Sequence, residues 1–97
     1  MNQSSQVEFL LARLQDPDPQ VRRMIAVELS RRADAQAVPA LIRLLDREED
    51  SLVRHATVEA LGILGDYRAS EVLTECLLEA DPDIRQAARK ALHTISL

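Results

Sequence analysis

Asp18-Pro19-Gln20-Val21-Arg22, Asp50-Ser51-Leu52-Val53-Arg54 and Asp81-Pro82-Asp83-Ile84-Arg85 are one five-residue signal written three times. The apolar anchors Val21, Val53 and Ile84 lie 32 and 31 residues apart, and eight residues after each comes a leucine: Leu29, Leu61 or Leu92. A second series, Leu10, Leu41 and Leu73, steps by 31 and 32 residues. Self-similarity at such a period marks a stack of repeated units. Three units account for almost all of the 97 residues.

Each unit reads as two helices. The second opens with an aspartate that can accept hydrogen bonds from free amides of the first turn, and in copies one and three proline follows at the first helical position. Asp and Arg then stand four apart (Asp18/Arg22, Asp50/Arg54, Asp81/Arg85), neighbours on a helix surface. Val53, Ala56, Thr57, Ala60, Leu61 and Leu64 trace one apolar face at helical period, as do Ile84, Ala87, Ala88, Ala91, Leu92 and Ile95. The spacing predicts second helices over 18–32, 50–64 and 81–95, and first helices over 5–15, 36–46 and 68–79. Gly65 stands where a helix-ending residue belongs. Alanine-rich faces let paired helices approach closely. The expected fold is all-α: six helices in three pairs, forming one domain over 1–97 with repeats at about 5–33, 36–65 and 68–96.

The motifs Asp18-Pro19-Gln20-Val21-Arg22, Ala37-Val38-Pro39-Ala40-Leu41-Ile42 and Ala60-Leu61-Gly62-Ile63-Leu64-Gly65-Asp66 resemble HEAT-like repeats of the phycobilisome-lyase (E/Z) type. The resemblance covers about residues 5–96. It implies a short right-handed α-α superhelix with the second helices lining the concave side. For function it is less specific, because the module occurs in scaffolds, chromophore lyases, chaperone-like factors and a few enzymes.

Composition narrows the classes further. One Phe, one Tyr and no Trp leave no aromatic platform for stacking bases. The single cysteine, Cys76, excludes an internal disulfide and a multi-cysteine zinc site. No apolar run approaches the roughly 20 residues of a membrane span. Met1-Asn2-Gln3-Ser4-Ser5-Gln6 lacks the pattern of a signal peptide, so a cytoplasmic location is expected.

Departures from the repeat mark its ends. Copy one has Arg13, Glu28 and Arg32 where later copies have Leu44 and Cys76, Ala60 and Ala91, Leu64 and Ile95. An exposed solenoid end needs a polar outer face, so copy one reads as an N-terminal cap. Leu78, Ile95 and Leu97 stay apolar near the other end, which suggests homodimer formation there.

The catalytic candidates are weak. Deoxyhypusine hydroxylases, enzymes of HEAT-like type, carry His-Glu pairs at helix starts; here Ala56 follows His55 and Thr94 follows His93. His55 with Glu59 is an i,i+4 pair, more readily solvated than metal-binding. Cys76 replaces Leu44 and reads as buried and inert. No phosphate loop or nucleophile elbow is present, so a non-enzymatic protein without metal or cofactor is expected.

Charge is more informative. The second helices hold eight of the twelve basic residues and six of the sixteen acids, net +2 against −6 elsewhere. Opposite their buried stripes lie Arg23, Ala26 and Val27, then His55, Val58, Glu59 and Gly62, then Arg89, Lys90 and His93. Small and apolar members would floor a groove rimmed by Arg and His, a mixture suited to a protein partner. The expected partner-binding residues are Arg23, Val27, His55, Val58, Glu59, Arg89, Lys90 and His93. They would hold an acidic or amphipathic segment. An accessory role in phycobilin attachment or phycobiliprotein turnover is the alternative that the resemblance implies. Net charge −4 disfavours nucleic acid.

Overall fold

The computed structural model describes residues 3–96. Six helices follow in order: α1 (Gln3–Arg13), α2 (Pro19–Arg32), α3 (Val38–Arg47), α4 (Ser51–Leu64), α5 (Ser70–Cys76) and α6 (Pro82–Ser96). There is no strand among the described residues, and the expected all-α stack of three helix pairs is what forms. No described helix is long and apolar enough to cross a membrane.

The aspartates act as helix caps. Asp18 accepts from the Gln20 N–H at 2.9 Å, Asp50 from the Leu52 and Val53 N–H groups, and Asp81 from the Asp83 N–H. Asp34 and Asp66 cap short 3-10 turns at Ala35–Ala37 and Tyr67–Ala69 in the same way. These turns delay α3 and α5 past the expected starts at 36 and 68. α5 also ends early, at Cys76. The next three amides, of Leu77, Leu78 and Glu79, bond three residues back instead of four, which tightens the chain toward the following cap.

α2 and α4 end alike. Gly65 has φ +67°, and Ala33, its equivalent one repeat earlier, takes the same left-handed conformation at φ +53°. Alanine is strained there because its Cβ crowds the backbone, whereas glycine is not. Ala33→Gly is expected to raise stability by about 1 kcal/mol, read as a higher urea midpoint with an unchanged slope.

The core runs through the stack as one cluster, with Leu29, Leu41, Leu44, Leu61, Leu73 and Ile84 fully enclosed. α2, α4 and α6 pack side by side along their lengths, whereas α1, α3 and α5 touch one another sparsely. The tighter layer is the inner one, so the second helices line the concave side. Gly62 makes the close approach explicit: a Cβ built there would lie 2.8 Å from the Ala91 Cβ. At the start of the stack, Arg32 bonds Glu28 at 3.2 Å and Gln6 at 3.1 Å, and Arg13 pairs with Asp16 at 3.6 Å. The polar side chains that set copy one apart are thus bonded to one another.

Candidate functional site

Three stripes on each second helix have different destinations. Residues one, five and nine positions past the anchor face the next repeat: Arg22, Ala26 and Ser30 on α2, then Arg54, Val58 and Gly62 on α4. Apart from the arginines, which reach across to the next repeat, all of these are buried. Residues three and seven positions on face the previous repeat, as Ala87 and Ala91 do. Residues two, six and ten positions on lie between these stripes and open to the concave side. They are Arg23, Val27 and Arg31 on α2, His55, Glu59 and Ile63 on α4, and Gln86, Lys90 and Thr94 on α6.

A groove of about 330 Å³ runs between α4 and α6. Gly62, Ala87 and Ala91 form its floor, and Glu59, Ile63, Lys90 and Thr94 its rims. Its floor is deep because the missing Gly62 side chain lets the helices close up. Ile63 stays 64% exposed, an apolar contact available to a partner. A second hollow of about 420 Å³ on α2 is lined by Arg23, Met24, Val27, Glu28 and Arg31, among others. Neither Lys90 nor Arg23 has an ion-pair partner among the described residues. His55 Nδ1 lies 3.4 Å from Glu59 Oε1, so these two already answer each other.

The eight expected binding residues therefore divide. Arg23 and Val27 line the α2 hollow, Glu59 and Lys90 line the α4/α6 groove, and His55 stands beside Glu59. Val58 is a correction: it is 0% exposed and cannot touch a partner. It faces α6 from the central helix, which is covered on both sides, and Ala26 and Gly62 are buried for the same reason. Arg89 and His93 are exposed but occupy the stripe that would face a following repeat, not the concave stripe.

The repeated arginines have a use that their spacing did not reveal. Arg22 Nε and Nη2 bond Glu48 Oε1 and Oε2 at 2.7 and 3.0 Å, and Nη1 bonds the Asp16 carbonyl at 2.7 Å. Arg54 repeats this one unit on, with Nη2 on the Glu79 carboxylate and Nη1 on the Leu45 and Glu48 carbonyls. Each arginine thus ties its own connecting loop to the glutamate of the next repeat. The expected i,i+4 pairs with Asp18 and Asp50 are not made, because those carboxylates are turned to the helix amides. The bidentate Arg22 guanidinium holds the Glu48 carboxyl below the usual carboxylate range, although burial opposes this. The glutamates were legible as an acid two residues before each capping aspartate: Asp16, Glu48 and Glu79.

Cys76 is buried at the α5 end, and burial pushes its thiol up, away from the thiolate a nucleophile needs. Among the described residues no group of three or more His, Cys, Asp or Glu is placed to hold a metal ion.

A family model described as HEAT repeats matches residues 7–93. The chain is a HEAT-repeat protein. It is 39% identical over 77 residues to the bilin biosynthesis protein PecE of Mastigocladus laminosus, covering 79% of this chain and 29% of that one. It is 31% identical over 89 residues to the uncharacterized phycocyanin operon protein Z of Pseudanabaena tenuis, covering 92% and 44%. These two bear out the likeness to repeats of the phycobilisome-lyase type. Human deoxyhypusine hydroxylase is 34% identical over 73 residues, covering 74% and 24%. A solved structure of human deoxyhypusine hydroxylase in complex with glycerol superimposes with a TM-score of 0.82 at 24% identity. It covers 93% of this chain and 32% of that one, and speaks to the fold alone. This HEAT-repeat protein thus spans less than half the length of each of these relatives. The expectation of a non-enzymatic protein is overturned, because its relatives include deoxyhypusine hydroxylases, which are enzymes. A stack of this kind serves enzymes as well as scaffolds, so weak catalytic candidates in 97 residues do not place the protein outside them.

Proposed function

We propose that this HEAT-repeat protein is a docking module, one domain of three repeats acting in the cytoplasm, that holds an acidic or amphipathic segment of a partner protein along its second helices. The observation that carries this reading is the α4/α6 groove: a floor of Gly62 and Ala91, exposed Ile63, and Lys90 with no ion-pair partner among the described residues. An apolar strip seats in the groove while Lys90 and Arg23 meet carboxylates on its flanks. His55, Glu59 and Val27 complete the contact surface. Arg89 and His93, on the end face, add charge at its margin. Affinity capture from the native cell, comparing wild type with Ile63→Glu and with Arg23→Glu/Lys90→Glu, tests it. Loss of the same captured protein in both variants is expected. Identical profiles overturn the groove assignment.

A second reading is favoured by the likeness to PecE and the phycocyanin operon protein Z: an accessory in phycobilin attachment or phycobiliprotein turnover. Mixing with a bilin or a phycobiliprotein should then change the pigment's absorbance. An unchanged spectrum counts against it.

A further inference from the structure

We propose that the outer face of the stack docks against the same face of a second copy, giving a two-fold dimer in which α3 of each chain lies on α5 of the other. This rests on the outer helices alone and is independent of the concave groove and its partner. Arg43 and Glu75 occupy one repeat position, 32 residues apart, each two residues past a buried leucine, Leu41 or Leu73. Two residues are about 200° of helix, so both side chains point away from the core. Arg47 and Glu71 stand one turn from them and are exposed as well. α3 thus turns an arginine stripe outward, and α5 a glutamate stripe. The side chains of Arg43, Glu71 and Glu75 have no hydrogen-bond or ion-pair partner among the described residues. Arg47 has only the Leu14 carbonyl, at 3.4 Å. These charges are no part of the repeat scaffold, because copy one has Ala12 and Gln15 where copy two has Arg43 and Arg47.

Opposite charges at equivalent positions of neighbouring repeats make this face self-complementary. A two-fold axis parallel to the helices, midway between α3 and α5, exchanges the two stripes and keeps every residue at its own height. It sets Arg43 level with Glu75 of the second copy, with Glu71 one turn before, and makes the same pairing again on the other side of the axis. Arg47 reaches back toward the same Glu75, since helical side chains lean toward the N-terminus. Asp46, the acid on the exposed side of α3, comes level with Leu78 and not with a glutamate. Leu78, expected to serve a dimer at the C-terminal end, is 89% exposed on the turn after α5. In this pairing it meets the hollow of about 220 Å³ between α1 and α3, which Leu11, Leu14, Ala40 and Arg47 help to line. Ile95 packs half-buried against the core, and Leu97 lies outside the described residues. A contact of one face on itself closes on two copies. It covers only two short helices of each chain, far less than the roughly 1,200 Å² of a stable complex, so the dimer is weak.

Sedimentation of the full chain from about 10 to 500 μM, at ~20 mM and ~1 M salt, tests this, because high salt screens exposed ion pairs. At low salt the average mass should rise with concentration and level off at twice the 10.9 kDa of one chain; at high salt it should stay at 10.9 kDa. Arg43→Glu and Glu75→Arg each set like charges against one another across the axis, and each alone should weaken dimerisation about tenfold or more. In an equimolar mixture of the two, each variant finds opposite charges on the other at both pairs, and dimers should return. The double variant Arg43→Glu/Glu75→Arg only exchanges the stripes and should dimerise within about threefold of wild type. Ile63→Glu, in the concave groove, should leave dimerisation unchanged. Arg43→Gln, which should also weaken the dimer, takes the place of Arg43→Glu if that variant loses helical circular dichroism. A wild type that stays monomeric at low salt, a mass that climbs past the dimer, loss of dimers in Ile63→Glu, or a mixture and a double variant that stay monomeric, overturns the proposal.

Discussion

Arg22→Ala is expected to melt roughly 8–16 °C below the wild type, equivalent to about 2 kcal/mol for a domain of this size. The Glu48 side chain keeps only 3% of its surface and Arg22 19%, so deletion of the guanidinium strands an almost enclosed carboxylate. A fully enclosed pair would lose about 3–5 kcal/mol; residual solvent at Arg22 reduces the figure. The double variant Arg22→Ala/Glu48→Ala should recover part of the loss, because no orphan charge remains. A single-variant melting point within about 3 °C of wild type would refute the role given to this tie. The same pair fixes the response to acid. The Glu48 carboxyl is depressed in the folded state, so its stabilisation is complete above the unfolded carboxylate value of about 4.3. It is lost as pH falls through the lower, folded value. Urea midpoints of wild type and Glu48→Gln should therefore converge on acidification.

Gly62→Leu is the second large effect, at about 3 kcal/mol, the upper end for overpacking. The nearest atoms to a Cβ at this position are the Ala91 Cβ at 2.8 Å and Cα at 2.9 Å, and neither can swing aside. α4 and α6 must separate. Gly62→Ala is the finer test, since better helix propensity returns about 1 kcal/mol against the clash. A net loss of about 1 kcal/mol is expected, smaller when Ala91→Gly is added. Gly62→Ala more stable than wild type would show that the two helices part without cost. Both variants should also disturb the groove, whose depth depends on that approach.

The fold was readable because its signals are local and occur three times. The caps at Asp18, Asp50 and Asp81, the 3.6-residue periodicity and the alanine-rich stripes each act within one helix pair. What was not readable depended on how one helix turns toward the next. Val58 and Glu59 are adjacent in sequence, and about 100° of helical rotation separates a buried residue from a groove rim. The small side chains read as a groove floor at Ala26 and Val58 are small because a neighbouring helix lies on them. Glu48 and Glu79 escaped because their arginines stand 26 and 25 residues earlier in the chain, and the nearer aspartates looked sufficient. Their recurrence two residues before each cap was the available clue.

The sparse contact among α1, α3 and α5, set beside the dense seam of α2, α4 and α6, makes the stack mechanically asymmetric. Bending has its neutral line in the inner layer, where Gly62 against Ala91 and the Arg–Glu ties leave no slack. Thermal flexing then spreads or closes the outer helices like the ribs of a fan, while the spacing of α4 and α6 stays constant. The depth of the groove is thus set by the one approach of Gly62 to Ala91.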